Sequence, residues 1–198
     1  NADVYVCWDT VARGADRAVR VDDPAIAGSD ALGVARVLAA ALSSEGVNLA
    51  LCGRQAIDGD SSAVPAMIAE LLGWNQVTYA DAFTVDGEAF TAQRAAGGGV
   101  REVVAGNLPV VVSCDKGMNE PRSATLPGIM KAKAKKIDVK GLAALGVDAG
   151  AVGAGAAVLS QSNMGLPPGR PPGRTIGGSP TEAAAELVRL LREEAKVI

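Results

Sequence analysis

Histidine is absent from this sequence, which removes the side chain that most often serves as a general base or as an imidazole metal ligand. Aromatic residues are also scarce, at 3% of the 198 residues, whereas apolar residues make up 48%. A core with few aromatic rings has to be built from Ala, Val, Leu and Ile packed between helices and strands. The composition therefore argues against a large share of enzyme mechanisms and favours an α/β domain.

Cysteine and long apolar runs are scarce as well. Cys7, Cys52 and Cys114 are far apart and form no CxxC motif, which argues against a disulfide scaffold or a zinc site. No run reaches the ~18 apolar residues of a membrane span, and residues 1–4 do not resemble a signal peptide. The net charge of −3 gives no overall attraction for nucleic acid. We expect a cytoplasmic protein that neither enters a membrane nor binds nucleic acid.

Hydrophobic periodicity predicts alternating strands and helices. Ser29 or Asp30 is expected to cap a helix that ends near residues 43–46, because its apolar residues recur every three or four positions. The apolar run 47–52 that follows is typical of a strand buried on both faces of a parallel sheet. Further predicted elements are strands at 4–8, 18–21, 83–85, 88–91, 103–104 and 110–113, a helix that Ser61 or Ser62 caps and that runs to Leu72, and a helix that Ser179 and Pro180 open.

A polar loop, residues 53–62, lies between the buried strand and the next helix. Backbone N–H groups at the start of a helix bind phosphate, and glycine lets a phosphate approach closely. The loop therefore indicates a nucleotide site, in which Asp58 or Asp60 would accept hydrogen bonds from ribose or adenine. An ordinary polar connection with two capping aspartates is the alternative interpretation.

Two shorter patterns carry little weight. Asp58-Gly59-Asp60 has the DxD form of metal-dependent sugar transferases, and Gly153-Ala154-Gly155 resembles part of a dinucleotide fingerprint. Three-residue patterns are frequent by chance. Neither a Walker A motif nor a GxSxG nucleophile elbow occurs in the sequence, so we assign no catalytic residue.

The segment 119–136 combines an apolar turn with a basic helix. Leu126 lies between Thr125 and Pro127 in a restricted turn that exposes it, and a projecting apolar residue often marks a docking site. The lysines that follow would attract an acidic partner. The alternative is a surface loop whose Leu126 and Met130 fold back into the core, beside a solvated lysine face.

Two segments together resemble the electron transfer flavoprotein β-subunit family. Residues 51–60, followed by 69–74, are similar to the nucleotide loop and helix of that family. Residues 119–122, with Leu126-Pro127 and 129–133, are similar to its partner-recognition loop. Between them, in the family's order, lie a Gly-Gly turn and a Leu-Pro strand, at residues 97–99 and 108–112.

The resemblance implies a Rossmann-like α/β fold of the adenine nucleotide α-hydrolase type, with a mostly parallel sheet, helices on both faces, a β-hairpin and an extended C-terminal arm. Residues 1–140 would form the nucleotide-binding domain, without the family's first strand. Residues 141–198 would form the arm and a terminal helix that contact an α subunit. The implied protein is an electron carrier and not an enzyme: the α subunit binds the redox FAD, and acyl-CoA or other flavin dehydrogenases dock on this subunit.

The family's functional residues fall on two parts of this sequence. The docking residues would be Leu126, as the anchor, with Pro127, Ile129, Met130 and Lys131. The nucleotide-binding residues would be Gly53, Gln55, Ala56, Asp58, Asp60, Ser61, Ser62, Ala63 and Val64.

The resemblance leaves two nucleotides open. Most members of the family hold AMP in the β subunit, whereas Asp58-Gly59-Asp60-Ser61 looks like the branch that holds a second FAD and bifurcates electrons from NADH. A different class of protein, a stand-alone adenine-nucleotide-binding regulator or hydrolase of related fold, is the remaining alternative.

Overall fold

The computed structural model describes residues 2–170 and 172–198, with side chains from Val6 onward in those ranges. The helices are α1 (Ala2–Ala12), α2 (Ala31–Glu45), α3 (Val64–Leu72), α4 (Leu126–Ala134) and α5 (Pro180–Glu193). The strands are β1 (Val19–Val21), β2 (Leu49–Gly53), β3 (Asn75–Asp86), β4 (Ala89–Gly97), β5 (Val100–Asn107), β6 (Val110–Cys114) and β7 (Asp138–Lys140). The chain forms two compact units, one ending at Ser160 and one beginning at Gln161. The functional division expected at residue 140 stays a prediction.

A five-stranded sheet with the strand order β2-β6-β3-β4-β5 forms the centre of the first unit. Strand β6 pairs in parallel with β2 and with β3, whereas β3, β4 and β5 form an antiparallel meander. The Asp86-Gly87 turn joins β3 to β4, because glycine tolerates the left-handed backbone found at this position, φ +59°. The predicted α/β class is confirmed: β2, β6 and β3 form the parallel part of the sheet, and β3 and β4 form the predicted hairpin.

Alanine and valine dominate the core, as the shortage of aromatic residues predicts. Val111 of β6 points to one face of the sheet, where α2 and α3 pack. Val110 and Val112 point to the opposite face, because successive strand residues alternate, and they pack there with Val77 and Phe90. The first of these clusters comprises Ala35, Ala39, Ala50, Ile68, Ala69 and Val111.

Both ends of α2 agree with the sequence prediction. Asp30 caps the helix by accepting a hydrogen bond from the Gly33 N–H at 2.9 Å, and Gly46 ends it with a left-handed backbone, φ +63°. A smaller cluster of Val37, Leu142 and Val152 packs the segment 142–152 against this helix. Helix α2 therefore contacts the sheet on one side and the end of the first unit on the other.

Strands β1 and β7 form a separate two-stranded parallel sheet. Val19 pairs with Asp138, so two distant parts of the chain meet. Beside this pair, Glu45 accepts from Lys140 Nζ at 2.5 Å and also forms an ion pair with Arg17. The hydrogen bond from Lys140, assisted by the charge of Arg17, holds the pKa of Glu45 below its ordinary value.

Three predictions about individual elements are wrong. Residues 4–8 lie in helix α1, since packing of this helix against α4 overrides the local β propensity. Strand β2 is at the edge of the sheet, and Leu51 is 59% exposed, so β2 is not buried on both faces. The cap of helix α3 (Val64–Leu72) is Ala63 and not Ser61 or Ser62, because Ser62 adopts a left-handed backbone, φ +51°, and its hydroxyl donates to Gln55.

The second unit consists of an irregular segment followed by α5. Within the described ranges 161–170 and 172–179, the chain forms no helix or strand, as its proline and glycine content predicts. Ser179 and Glu182 then form a capping box at the start of α5. Leu187 and Val188 of this helix are 47% and 46% exposed in the structure. The predicted terminal helix is confirmed, and its apolar residues are accessible.

Candidate functional site

A cleft of about 280 Å³ opens at the carboxyl end of β2. Open parallel sheets bind ligands at this edge, where loops follow the strands. The loop after β2 and the start of α3 form most of the wall, and α2 contributes one residue. The lining consists of Leu38, Cys52, Gly53, Arg54, Gln55, Ala56, Ser61, Ser62, Ala63, Val64 and Pro65.

Gln55 holds the loop together. Its Nε2 donates to Asp60 Oδ1 at 2.5 Å, and its Oε1 accepts a hydrogen bond from Ser62 Oγ at 2.8 Å. Asp60 and Ser62 both adopt a left-handed backbone, φ +46° and +51°, which is unusual for residues other than glycine. The side-chain hydrogen bonds offset this strain and arrange the polar wall of the cleft.

The cleft also suits the close approach of an anion. Ala63 precedes α3 and has no side chain that can cap the helix. Apart from Pro65, which has no N–H, the residues of the first turn therefore offer backbone donors that no cap side chain occupies. Gly53 lies outside the left-handed region, and a Cβ added to it would meet no atom within 4 Å. Neither backbone conformation nor packing requires glycine at position 53. The approach of a ligand provides a reason for it.

Arg54 connects the ends of β2 and β6 with the middle of β3, beside the cleft. Its Nη1 donates to both carboxylate oxygens of Asp115 at 3.1 Å, and its guanidinium lies 4.6 Å from the centre of the Tyr79 ring. A hydrogen bond from the Lys116 backbone N–H, together with Arg54, keeps the pKa of Asp115 below its ordinary value. The charged pair therefore persists at neutral pH and fixes one wall of the cleft.

The structure brings most of the predicted nucleotide-binding residues together. Seven of the nine line the cleft, whereas Asp58 and Asp60 do not. Asp60 acts one step away, through Gln55. The prediction omitted Leu38, Cys52, Arg54 and Pro65. Cys52, Arg54 and Pro65 are adjacent in sequence to predicted residues, so the sequence motif could have indicated them. Leu38 is revealed only by the packing of α2.

The predicted docking residues lie on α4. Leu126 and Met130 are 72% and 67% exposed and stand one helical turn apart. Pro127, Ile129 and Lys131 are also exposed. The alternative in which Leu126 and Met130 fold back into the core is therefore wrong. Leu126 is the first residue of α4 and not part of a preceding turn, since Thr125 is the cap of the helix.

The sequence of this chain is similar to known proteins over most of its length. A sequence model of the electron transfer flavoprotein domain matches residues 3–145. The electron transfer flavoprotein β subunit of Sus scrofa is 40% identical in an alignment of 198 residues, covering 96% of this chain and 72% of that protein. The β subunit of Bradyrhizobium diazoefficiens is 39% identical over 188 residues, covering 95% and 70%. This chain belongs to the electron transfer flavoprotein β-subunit family.

Membership of the electron transfer flavoprotein β-subunit family confirms the resemblance seen in the sequence motifs. The relatives named above are electron-transfer subunits, and the role of this chain is that of such a β subunit. In the part of this β subunit that the structure describes, no helix is both long and apolar enough to cross a membrane. The same residues contain no group of three or more His, Cys, Asp or Glu side chains placed to hold a metal ion.

Proposed function

We propose that this chain binds AMP in the cleft at the end of β2, pairs with an α subunit that holds the redox FAD, and docks flavin dehydrogenases through α4. The cleft carries the proposal, since it joins a preformed polar loop to the start of an uncapped helix. FAD supplies the redox chemistry, accepting and releasing electrons. The residues of this chain bind a nucleotide, support the flavin-bearing subunit and position the electron donor or acceptor.

A mononucleotide suits the size and chemistry of the cleft. The volume of about 280 Å³ lies near the lower end of the ~300–1,000 Å³ typical of ligand pockets, which favours AMP over FAD. The phosphate would lie at the start of α3, where backbone N–H groups and the Ser61 hydroxyl are suited to donate to it, while the Ser62 hydroxyl stays bonded to Gln55. Asp60 contributes by holding Gln55 in place.

The nucleotide can be identified directly. The chain is co-expressed with the α subunit of the same organism, and the purified heterodimer is extracted and analysed by mass spectrometry. We expect a yellow 1:1 heterodimer with one FAD and one AMP. Two FAD molecules per heterodimer, with no AMP, would instead support the electron-bifurcating alternative. A colourless stable monomer that hydrolyses ATP would overturn the proposal in favour of a stand-alone nucleotide hydrolase.

Two glycines of the same loop provide a matched test of the cleft. A side chain at Gly53 would occupy the cleft, whereas Gly59 does not line it, and neither position has an atom within 4 Å of an added Cβ. We expect Gly53→Val to weaken AMP binding at least about tenfold, which is about 1.4 kcal/mol. Gly59→Val should retain AMP. Equal AMP content in the two heterodimers would place the nucleotide elsewhere.

The docking role rests on the exposure of Leu126. Truncating an apolar anchor in an interface typically costs about 1–2 kcal/mol or more, so Leu126→Ala should lower kcat/KM for reduction by an acyl-CoA dehydrogenase by about five- to thirtyfold. FAD content should not change. Val103→Ala is the control, since Val103 is similarly exposed at 69% and lies on β5. An unaltered rate in Leu126→Ala would refute the anchor role.

The α subunit would contact α5. This helix presents Leu187 and Val188 at the surface of the second unit, and its Arg189 is held in place by Glu186 and Glu193. An amphipathic helix with an accessible apolar face is a common form of subunit contact.

A further inference from the structure

The segment before α4 determines where the exposed Leu126 is placed. Residues 119–125 form neither helix nor strand, and Leu126 follows immediately as the first residue of α4. Regular secondary structure therefore does not hold this segment. Its position depends on contacts with other parts of the chain.

One such contact comes from the end of α1. Arg13 follows this helix, and its Nη1 donates to the carbonyl oxygen of Arg122 at 2.5 Å, across 109 residues of sequence. The Nε of the same guanidinium donates to Asp9 Oδ2 at 2.8 Å, one turn back in α1. Because the guanidinium is planar, the bond to Asp9 fixes the direction of the donor that reaches Arg122.

A second contact fixes α4 itself against the same end of α1. A Cβ added to Gly128 would lie 2.5 Å from the carbonyl oxygen of Ala12, so the two helices touch through their backbones here. Ala132, one turn further along α4, is 1% exposed. The small residues Gly128 and Ala132 therefore mark the face of α4 that packs, while Leu126 and Met130 remain exposed.

We propose that Arg13 is a positioning residue for partner docking. With Asp9 and the backbone contact at Gly128 it forms a clamp, here called the α1 clamp, which holds the Arg122 carbonyl and thereby presents Leu126 in its docking conformation. The role in docking rests on the proposed function. The clamp itself can be tested without any partner.

Trypsin measures the clamp directly, because it cleaves the peptide bond whose carbonyl Arg13 holds. We expect Arg13→Ala in the heterodimer to speed the cut between Arg122 and Ser123 about three- to tenfold, since cleavage follows the population of the released segment. Arg13→Lys retains the charge but lacks the planar guanidinium, so its cleavage rate should fall between that of Arg13→Ala and that of the unmodified heterodimer. The control is Arg101→Ala, which also removes an exposed arginine held by a carboxylate, that of Asp81, and which lies on β5. Equal cleavage rates in Arg13→Ala and the unmodified heterodimer would overturn the clamp.

Enzyme kinetics then measures the consequence for docking. If the docking-competent conformation falls to between a third and a tenth of its population in the unmodified heterodimer, the KM of an acyl-CoA dehydrogenase for the carrier rises about three- to tenfold. The kcat value and FAD content should not change. A normal KM for Arg13→Ala would contradict the positioning role.

A double variant separates this inference from the proposed function. When Leu126 is already alanine, Arg13→Ala should have little further effect on KM, because Arg13 acts through Leu126. Fully additive effects would show that Arg13 contacts the dehydrogenase directly, and would overturn positioning. If Leu126→Ala alone has no effect, the proposed docking fails, and the trypsin cleavage rate still decides whether the α1 clamp exists.

Discussion

Gly153 and Gly155 belong to one short motif but have different roles. Gly153 has a left-handed backbone, φ +77°, and its N–H donates to Ser29 Oγ at 2.7 Å. A Cβ at this position would lie 2.3 Å from the carbonyl oxygen of Ala25, whereas a Cβ on Gly155 would meet no atom within 4 Å. The motif that resembles a dinucleotide fingerprint thus contains a glycine required for packing.

Gly153→Ala should therefore destabilise the protein. The left-handed backbone costs about 1 kcal/mol with alanine, and the contact with Ala25 adds about 1–3 kcal/mol. We expect a lower midpoint of urea unfolding for Gly153→Ala, measured by circular dichroism. Gly155→Ala should change the free energy of unfolding by less than about 0.5 kcal/mol. Similar midpoints for both variants would show that the segment can shift to accept a methyl group.

Asp30 connects α2 to the end of the first unit. Oδ1 accepts from the Gly33 N–H at 2.9 Å, and Oδ2 accepts from the Val158 N–H at 2.8 Å. These bonds, that from Gly33 foremost, hold the pKa of Asp30 below its ordinary value of 3.8. Because the folded pKa is depressed, the stabilising contribution is complete above the unfolded pKa and is lost as the pH falls through the folded value.

Asp30→Asn should reveal this pH dependence. Asparagine still caps a helix but carries no negative charge to be stabilised by the two N–H groups. We expect the difference in unfolding free energy between the unmodified chain and Asp30→Asn to be larger near about pH 6 than near about pH 3. Urea titrations at both pH values measure it. A difference that is constant with pH would mean that the charge of Asp30 contributes nothing.

At the scale of secondary-structure elements, α3 supports the cleft through one buried side chain. Ile68 is 1% exposed and belongs to the cluster between α3 and the sheet, whereas Leu71 on the same helix is 45% exposed. The start of α3 forms part of the cleft, so the packing of this helix also sets the position of its first turn. We therefore expect Ile68 to link the stability of the chain to the proposed nucleotide binding.

Ile68→Ala should cost about 2–5 kcal/mol of unfolding free energy, because it leaves a cavity among small neighbours. Leu71→Ala, the matched control, should cost less than about 1 kcal/mol. Chemical denaturation of the two variants compares them. We also expect weaker AMP binding for Ile68→Ala than for Leu71→Ala. Equal unfolding midpoints would mean that α3 is not anchored at Ile68.

Elements with local signals were predictable, and elements defined by distant contacts were not. Helix α2 follows from the Asp30 cap, its apolar period and Gly46, and the β3–β4 hairpin follows from Asp86-Gly87. Helix α1 was predicted as a strand because its β-branched and aromatic residues give no local sign of α4, against which it packs. The predicted cap of α3 failed because the Ser62 hydroxyl bonds to Gln55, within the loop, and not to the helix.

The candidate functional residues show the same division between local sequence signals and distant contacts. The loop 53–64 and the segment around Leu126 are continuous in sequence, so motif spacing predicted both. Leu38 and Arg13 come from other elements, and only the fold brings Leu38 to the cleft and Arg13 to Arg122.

At the scale of the whole molecule, charge is unevenly distributed. The chain has a net charge of −3, yet Lys131, Lys133 and Lys136 are exposed on or just after α4. The positive charge therefore lies next to the exposed Leu126. Such a local patch attracts an acidic partner toward the docking surface before apolar contacts form.

The rate of docking should consequently depend on ionic strength. We expect the association rate constant with a flavin dehydrogenase to fall as salt rises from about 10 mM to about 150 mM, because the screening length shortens to about 8 Å. Stopped-flow measurements give the slope. A variant with Lys131→Gln and Lys133→Gln should have a shallower slope and nearly the same dissociation rate. An identical slope in the variant would exclude these lysines from steering.

The pairing of β1 with β7 also has a consequence during synthesis. Val19 finds its partner Asp138 about 120 residues later in the chain. At about 5–20 residues per second, β1 waits about 6–24 s after its own translation before β7 has been made. The five-stranded sheet, whose last strand ends at Cys114, is complete in sequence before that moment. A chain that ends before residue 138 would therefore contain every residue of the cleft and of the five-stranded sheet, while β1 still lacks its partner strand.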